Sequence, residues 1–523
     1  GKSVALDVKK ADVEGTVSDL GINRLEFSEA ASGISGALEG RLSGLPDVSA
    51  LNLDVQAENF DFTSEGVGKL LAGLSLTSKI DLTKFAIGNR FRFDGHANGP
   101  INHMKVLGEV DSDAGNLTAD LDVRNLVDPR HPIHLDGRLT TRDLNLGQIA
   151  GVKQIGPCTL RSTLHADFGP EGPEVTIDTV FIDKLHALDY TYSNIVAAGT
   201  YSQNAFDGRI ICNDPNLNFI FQGIFTLSDK SRNGLYKFYA NIGYADLQAL
   251  NLDKRGVSKV SGQVDANYMS VGRGDILGDL NILNLQLENE QGNRQIGNIH
   301  IASHSNEDIH RINLSSRFLD GTYVGGKSLP NAIRSVKELT IGRELTVLTK
   351  DTTANWKGEN YDLDLKFHDS RDLLSFVIPG LYIADGTAVK LNVSGAGTVQ
   401  TTVKSPRLAM GRNYLKDLNL NFNNNDGSLN GAVSSSEMRV ASMEFLNNSY
   451  ILYADENRIG LGYTYDNESL LSDKGEIYLT GELERDPLGK LILRGRTLPS
   501  SIYYNGEGWR ISPASVKLHG SDF

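Results

Sequence analysis

Strict alternation of apolar and polar residues is the feature that most constrains the fold of this chain. The alternation is unbroken in residues 51–58 and 117–124, and it recurs at 283–288, 361–367, 389–394, 418–423 and 477–484. Because successive side chains on a β-strand point to opposite faces, each run has one apolar face and one polar face. This pattern predicts antiparallel strands with one solvated side.

Glycine usage agrees with a fold rich in strands. The chain has 523 residues and contains 54 Gly but only 14 Pro. Asp-Gly dipeptides begin at positions 94, 136, 207, 320, 385 and 426, and Asn-Gly dipeptides at 98, 233, 430 and 505. These dipeptides tolerate the positive φ of tight hairpins, so we interpret their glycines as turn residues.

A loose repeat and a few short helices punctuate the strands. An Asp–apolar step occurs at 60–62, 143–146, 246–250 and 372–376, with spacings that drift. No fixed period of about 20 to 50 residues is present, which argues against a propeller or a leucine-rich repeat. Helices are predicted at 65–71, 330–339 and 371–376, the second with a face formed by Ile333, Val336 and Lys337.

We therefore expect an all-β protein with a few short helices. Its expected architecture is one continuous, repetitive antiparallel β-sheet over residues 1–523, with 1–150, 151–345 and 346–523 as candidate sub-segments. The chain starts without Met and stops just after an alternating stretch at 516–518. We interpret it as a fragment of a longer protein.

Composition and charge exclude several classes of protein. Two Cys rule out a disulfide framework and a Cys-rich metal module. The net charge of −14 disfavours nucleic acid or an anionic membrane surface as the main partner. The longest apolar run, 373–384, is too short to span a bilayer and is interrupted by Pro379.

One segment matches the phosphate-loop pattern G-x4-G-K-[ST]. It runs from Gly321 to Ser328, with Lys327 before the final Ser. A true phosphate loop requires a parallel βαβ sheet, and the surrounding sequence predicts hairpins instead. We interpret the match as a Gly-rich connection from a strand to a helix, with nucleotide binding as the alternative.

Histidine and cysteine give no clear site. His300 and His304 have the spacing of a helical metal site, but their segment alternates like a strand, which separates the two rings by about 13 Å. Cys158 and Cys212 are either a disulfide or, as we favour, two buried thiols. No common hydrolase, zinc-protease or calcium-loop pattern is present. We predict no enzyme activity, no cofactor and no metal.

Several stretches resemble the TamB family, the AsmA-like periplasmic proteins of Gram-negative bacteria, in the version found in Bacteroidota. They are 190–195 with Gly199, 206–208 and 214–216, then 245–252, 372–386 and 509–513. None of these stretches is a catalytic motif. In the first 190 residues the similarity is limited to the general sequence pattern and includes no specific motif.

The resemblance implies a long antiparallel sheet curved into a hydrophobic groove, a β-taco of the bridge-like kind. It implies a periplasmic protein, anchored in the inner membrane through a segment absent here, that reaches an outer-membrane barrel partner of the TamA type. The implied function is to conduct phospholipids between the two membranes and to support outer-membrane assembly. The alternative is a scaffold or chaperone of a translocation and assembly module that inserts outer-membrane proteins by strand addition.

The apolar positions of the alternating runs are the candidate site, since they form either an ordinary core or a trough for acyl chains. The predicted lining residues are Leu51, Leu53, Val55, Leu117, Leu121, Val123, Leu285, Leu287, Leu363, Leu365, Phe367, Val389, Leu391, Val393, Leu418, Leu420, Phe422, Ile477 and Leu479.

Overall fold

The structure is a computed structural model that divides into two compact units. The first comprises Gly1–Asp229 and Gly234–Gln263, and the second comprises Val264–Phe523 with Lys230–Asn233. The residues described are 7–29, 33–63, 90–128, 130–150, 153–169, 172–226, 234–271, 275–306, 309–326, 329–348, 358–468 and 473–519. Within these residues the protein is all-β, and its 33 strands belong to one open antiparallel sheet with few short helices, as predicted.

The first unit consists of consecutive strands and one short helix. Its strands are β1 (Asp7–Thr16), β2 (Asp19–Glu29), β3 (Ile34–Ser43), β4 (Asn52–Phe62), β5 (Phe91–Pro100), β6 (His103–Ser112), β7 (Gly115–Arg124), β8 (Ile133–Arg142), β9 (Leu144–Asn145), β10 (Ile155–Gly169), β11 (Gly172–Ala187), β12 (Tyr190–Ser202), β13 (Ala205–Asp214), β14 (Leu217–Thr226) and β15 (Gly234–Asp246). Helix α1 is Leu146–Ala150, and a 3-10 turn covers Val48–Ala50.

Strand β16 (Lys259–Val271) spans the unit boundary in the sequence. The strands that follow are β17 (Asp275–Asn289), β18 (Gly292–Asn306), β19 (Ile309–Ser316), β20 (Leu319–Gly325), β21 (Tyr361–Phe367), β22 (Leu381–Ile383), β23 (Ala388–Val393), β24 (Val399–Met410), β25 (Asn413–Asn423), β26 (Leu429–Val440), β27 (Met443–Asp455), β28 (Arg458–Asp466), β29 (Lys474–Arg485), β30 (Leu491–Thr497), β31 (Ser500–Tyr504), β32 (Glu507–Ile511) and β33 (Ser515–His519).

The second unit also contains two short helices and three helical turns. Helix α2 is Leu329–Lys337 and runs into a π-helical turn, Glu338–Gly342. Helix α3 is Arg371–Val377. Two 3-10 turns cover Thr346–Leu348 and Asn425–Gly427.

All seven alternating runs lie mainly on strands, as predicted. The run 361–367 coincides with β21, and 389–394 matches β23 to within one residue at each end. The other five lie on β4, β7, β17, β25 and β29. Alternation of apolar and polar residues was sufficient to locate these strands, because one face of each strand is buried and the other is exposed to water.

The interpretation of the Asp-Gly and Asn-Gly pairs as turns was mostly wrong. The pairs at 94, 136, 207 and 320 lie inside β5, β8, β13 and β20, and those at 98 and 430 lie inside β5 and β26. The pair at 505 forms the turn between β31 and β32, and those at 385 and 426 lie in short connections. Asn233 lies outside the described residues.

Close strand contact explains glycine at these internal positions. Gly95 and Gly108 pair across β5 and β6, and the ring of Phe93 lies across both. A Cβ added at Gly108 would lie 2.5 Å from the Phe93 ring and 2.7 Å from the Asp94 carbonyl oxygen. Gly137, in β8, has φ +147°, a conformation that other residues rarely adopt. At these positions glycine leaves room for an aromatic ring or allows the strand to bend.

Other residues make several of the tight turns. Leu188-Asp189, Gln203-Asn204 and Glu456-Asn457 connect β11 to β12, β12 to β13 and β27 to β28. All six residues have φ between 48° and 66°. Two successive positive φ values define a type I′ turn, whose twist matches that of the paired strands. Asn, Asp and Gln therefore supply turn chemistry that the search for glycine pairs could not find.

The Asp–apolar repeat has a definite place in the first unit. Its copies at 60–62, 143–146 and 246–250 follow or end β4, β8 and β15. These three strands run in the same direction, because an even number of antiparallel pairings separates them: four between β4 and β8, and six between β8 and β15. The repeat therefore marks one edge of that unit, and its copy at 143–146 leads into helix α1.

Two of the three predicted helices are confirmed. Helix α2 with its π-helical turn covers 330–339, and α3 covers 371–376. The expected face of α2 is right for Val336, which packs against a buried cluster, but wrong for Ile333, which is 59% exposed, while Ala332 and Ser335 are buried. The third prediction, 65–71, lies outside the described residues.

Candidate functional site

The apolar face of the second unit continues in register from strand to strand. Leu363 on β21 lies between Tyr323 on β20 and Leu391 on β23. Further along the sheet, Leu420 on β25 lies between Val403 and Val433. Directly opposed residues in an antiparallel sheet share a face. The apolar positions of β19–β29 therefore form one surface, which we call the apolar face.

The first unit has an apolar face of its own. A line across four strands joins Val55, Ala97, Val106 and Leu121. Ala97 and Val106 are the partners that place the two predicted residues on the same surface. Aromatic rings form a second group on this unit, with Phe62 and Phe91 stacked at 5.1 Å and Phe27 and Phe60 at 6.0 Å.

The opposite face carries paired charges. Arg24 on β2 contacts Glu39 on β3 and Glu58 on β4, at 2.7 and 2.9 Å. In the second unit, Lys390 and Asp364 pair across β23 and β21 at 3.1 Å. The carboxylates at these polar alternating positions thus form ion pairs with cations on the polar face.

The predicted lining residues fall into groups that the structure brings together. In the first unit, Leu53, Val55, Leu117, Leu121 and Val123 lie on β4 and β7 and share the apolar face. Leu51 precedes β4 and is half-buried. In the second unit the following residues share the apolar face: Leu363, Leu365, Phe367, Val389, Leu391, Val393, Leu418, Leu420, Phe422, Ile477 and Leu479.

An irregularity in β17 precedes Leu285 and Leu287. Asn284 has φ 53°, and the register shifts on both sides of Leu285. Leu285 lies opposite Gly297, whereas Leu287 lies opposite Arg294. The second shift adds a residue on β18, between Gly297 and Gln295, and none on β17. Leu285 and Leu287 are two residues apart on β17, so they lie on the same face. The alternation in the sequence could not show either irregularity.

Helix α2 covers part of the apolar face. Ala332 and Leu339 pack in a buried cluster with Tyr361, Val393 and Val399. Val393 and Val399 are fully buried, and Tyr361 is 1% exposed. Val393, predicted as lining, is therefore part of a closed core beneath the helix. Leu363 and Leu391 pack against the rim of this cluster.

Polar side chains fix the covering segment, residues 329–348, along one edge of the sheet. The Asn424 side-chain amide donates to the Leu339 carbonyl oxygen at 3.0 Å. Asn457 accepts from the Val347 N–H at 3.0 Å, and Arg485 donates to the Val347 carbonyl oxygen at 2.9 Å. These contacts lie at the ends of β25, β27 and β29, so the segment crosses several strand ends.

Beyond the covering segment the apolar face is open. Leu452 on β27 and Leu461 on β28 are direct partners and are 36% and 43% exposed. Leu479 on β29 continues the same line and is half-buried. An exposed group of apolar side chains on one face is typical of a binding surface.

A group of tyrosines borders the open region, and sequence reasoning missed it. Tyr450 and Tyr463 stack at 4.5 Å, and Tyr465 lies 5.8 Å from Tyr463. Tyr463 donates its hydroxyl to Asn448 at 2.8 Å, and burial raises its pKa well above the usual range. The alternation Tyr463-Thr464-Tyr465 was the available signal. The rings of Tyr450 and Tyr463 are half-buried and present apolar surface, whereas Tyr465 is buried, and all three hydroxyls are hydrogen-bonded.

The stretches that suggested a family contain a buried polar cluster. Asp214 accepts from the Tyr190 hydroxyl at 2.5 Å and from the Ser193 N–H at 2.9 Å. It also accepts from the Asn216 N–H at 2.9 Å, while Asn216 donates to Tyr190. Every contact holds a turn or a strand end together. These residues have a structural role in the first unit.

The phosphate-loop match lies on a strand and its connection. Residues 321–325 form most of β20, and Leu329 begins α2. Gly325 pairs with both His310 and Tyr361, so β20 is a ladder strand at this point and not a phosphate-binding loop. Lys327 and Ser328 lie outside the described residues. The interpretation as a strand-to-helix connection is confirmed.

The histidines and cysteines occupy separate positions. His300 and His304 both lie on β18, as the alternation predicted. Cys158 and Cys212 are free and buried, and burial raises the pKa of the Cys158 thiol to about 11. Within the described ranges, no three His, Cys, Asp or Glu side chains are grouped to hold a metal ion.

Comparison with known proteins assigns no family to the chain. No protein-family model matches the chain, and no curated protein does. A helix of sufficient length and apolar character to cross a membrane does not occur in the part of the chain that the structure describes.

Proposed function

We propose that this protein binds the acyl chains of phospholipids on the apolar faces of its sheet and conducts them between membranes. The observation that carries the proposal is the in-register apolar surface from Tyr323 through Leu391 and Leu420 to Leu461 and Leu479. It is a single-layer face that is open at Leu452 and Leu461. An ordinary sandwich core would be sealed by a second sheet.

The energetics of acyl chains support the proposal. Burial of one methylene is worth about 0.8 kcal/mol, so a 16-carbon chain exposed to water costs about 12 kcal/mol. A continuous apolar face removes most of this cost while the headgroup stays in water. Neighbouring strands lie about 4.8 Å apart, so a chain of this length contacts several strands at once. Movement from strand to strand then encounters no large barrier and needs no energy source.

The covering segment divides the proposed path into two parts. Val393 and Val399 lie beneath α2 and are closed to lipid. The open part contains Leu365, Leu420, Leu452 and the neighbouring apolar positions. Lipid therefore travels on the side of the face away from residues 329–348.

The cellular setting follows from the sequence resemblance and belongs to the same proposal. A TamB-like protein of this kind works in the periplasm, anchored in the inner membrane, with an outer-membrane barrel of the TamA type as partner. In that setting the sheet supports outer-membrane assembly by supplying phospholipid.

A second candidate function is a scaffold that receives an unfolded outer-membrane protein by strand addition. Strand β1 favours it, because among the described strands it pairs with β2 alone and all 10 of its residues are exposed. An exposed strand edge presents unpaired N–H and C=O groups. An added strand would protect the amides of Val8 and Val13 from hydrogen exchange, whereas a bound lipid would leave them unchanged.

Lipid extraction and native mass spectrometry of the purified chain test the main proposal. We expect co-purified phospholipid in the wild type. We expect much less in Leu452→Asp, which places a charge on the open face. The matched control is Ile451→Asp on the opposite face of the same strand, where Ile451 is 61% exposed. Absence of lipid from the wild type, or equal loss in both variants, would contradict the proposal.

A further inference from the structure

A cleft in the second unit is lined by three arginines and one carboxylate. Its volume is about 490 Å³, and it lies between β18, the turn after β19, and helix α3. Arg294, Arg317 and Arg371 line it together with Asp372. The chain as a whole carries a net charge of −14. A local excess of positive charge in such a chain marks a site for an anion.

The single carboxylate does not saturate the three guanidiniums. The Asp372 oxygens lie 3.6 Å from Arg294 Nε and 3.6 Å from the nearest Arg317 nitrogen. Both separations exceed the usual length of a charge-assisted hydrogen bond, about 2.7 to 2.9 Å. Arg371 has no ion-pair partner among the described residues, and its guanidinium lies 5.4 Å from the ring centre of Tyr382. Free N–H donors therefore remain on all three arginines.

Backbone carbonyls hold two of the arginines in place. Arg294 donates to the carbonyl oxygens of Asn293 and Gln291, each at 3.2 Å. Arg317 donates to the carbonyl oxygen of Gln295 at 3.3 Å. These bonds orient the two guanidinium groups. Because each guanidinium has five N–H donors, further donors remain available to the cleft.

We propose that this cleft binds a phosphate group through Arg294, Arg317 and Arg371. Guanidinium matches the geometry of phosphate oxygens and binds them in a bidentate manner. The remaining lining consists of Gln291, Asn293, Gln295 and Ser375, whose polar groups suit the ester side of a phosphate. A volume of this size admits a phosphate together with a glycerol unit.

The position of the cleft points to the headgroup of a lipid. Gln295 and Arg317 also line a neighbouring cleft of about 590 Å³ that reaches Leu283 and Ile299. Ile299 pairs with Ile282, and both side chains are apolar. A phosphate held by the arginines thus has apolar surface within reach of its acyl chains. This step rests on the proposed lipid function, whereas phosphate binding itself does not.

Isothermal titration with inorganic phosphate at pH 7 and low ionic strength tests the site. We expect saturable binding to the wild type, weakened about tenfold in Arg317→Gln/Arg371→Gln. The matched control is Arg209→Gln/Arg510→Gln, which removes the same charge from two exposed arginines and leaves binding unchanged. Asp372→Asn removes the competing anion, so phosphate binds about threefold more tightly. A folding defect cannot produce this gain.

Absence of saturable binding would overturn the proposal, as would equal loss in the two double variants or no gain in Asp372→Asn. Dihexanoyl phosphatidic acid, which is soluble as a monomer, then distinguishes the source of the phosphate. Tighter binding of this lipid than of inorganic phosphate identifies a headgroup, and equal binding identifies free phosphate. If phosphate binds while purified protein carries no lipid, the lipid function fails and this site stands. If lipid is present and phosphate does not bind, this site fails alone.

Discussion

Asn424 donates its side-chain amide to the Leu339 carbonyl oxygen at 3.0 Å, linking the end of β25 to a segment 85 residues earlier in the chain. The Asn424 side-chain oxygen accepts from the Val399 N–H at 2.6 Å. Because Asn424 is only 4% exposed, water cannot replace these bonds. This side chain therefore fixes the Leu339 end of the covering segment over the apolar face, while Asn457 and Arg485 hold Val347.

We predict that Asn424→Ala loosens the covering segment. The variant leaves the Leu339 carbonyl and the Val399 N–H without their partner, at a cost of about 3 kcal/mol. Hydrogen-exchange mass spectrometry measures the result as faster exchange of peptides from 329–348. The control is Asn425→Ala, an exposed neighbour, which we expect to change exchange little. Equal exchange in the two variants would show that Asn424 does not fix the segment.

The Asp214 cluster gives a prediction that depends on pH. Burial alone would raise the pKa of Asp214, but hydrogen bonds from Tyr190, Asn216 and Ser193 outweigh it and hold the pKa below its usual range. A depressed folded-state pKa stabilises the fold above the unfolded value, about 3.9, and the stabilisation is lost as pH falls through the folded-state value.

We therefore expect Asp214→Asn to destabilise β12 and β13 by about 2 kcal/mol at pH 7, since an amide cannot accept all the bonds that a carboxylate accepts. The difference from the wild type should shrink as pH falls below about 4 and vanish once pH is below the depressed folded-state pKa of Asp214. Amide exchange of peptides from β12 and β13, or local proteolysis, reports the change. Asp207→Asn, at an exposed position on β13, is the control. A difference between Asp214→Asn and the wild type that persisted in acid would contradict this account.

Gly108 tests the contact between glycine and aromatic rings. A methyl group added there would approach the Phe93 ring to 2.5 Å and the Asp94 carbonyl oxygen to 2.7 Å. We expect Gly108→Ala to destabilise β5 and β6 by about 2 kcal/mol, the usual cost of overpacking a tight site. Gly460→Ala is the control, because its nearest neighbour would be 3.8 Å away. Similar amide exchange in both variants would show that the close contacts at Gly108 do not restrict this position to glycine.

Period-two patterning predicted the sheet and its seven best strands, because burial on one face imposes that pattern directly. Separate helix-start signals predicted two of the short helices. The patterning could not predict the irregularity at Asn284 in β17. It also could not show that α2 seals Val393, since that contact joins segments distant in sequence. The cleft at Arg317 depends on a turn, a strand and a helix meeting at one edge. Local sequence contains none of that information.

We predict that a charge on the apolar face slows lipid movement. Leu420→Asp interrupts the line formed by Val403, Leu420 and Val433. A fluorescence assay of phospholipid transfer between vesicles should show a reduction of about tenfold or more, because one unpaired charge on an apolar path costs well over 1.4 kcal/mol. Asn421→Asp adds the same charge on the opposite face and should transfer lipid at the wild-type rate. Equal rates in the two variants would oppose a path along this face.

The central claim is that lipid contacts one face of the sheet and not the other. Site-specific photocrosslinking at Leu452 and Ile451 tests it most directly, because these neighbours on β27 are both apolar and exposed but point to opposite faces. We expect crosslinks to phospholipid from Leu452, and likewise from Leu365 and Leu420, with none above background from Ile451. Equal crosslinking from Leu452 and Ile451, or none from either, would contradict it.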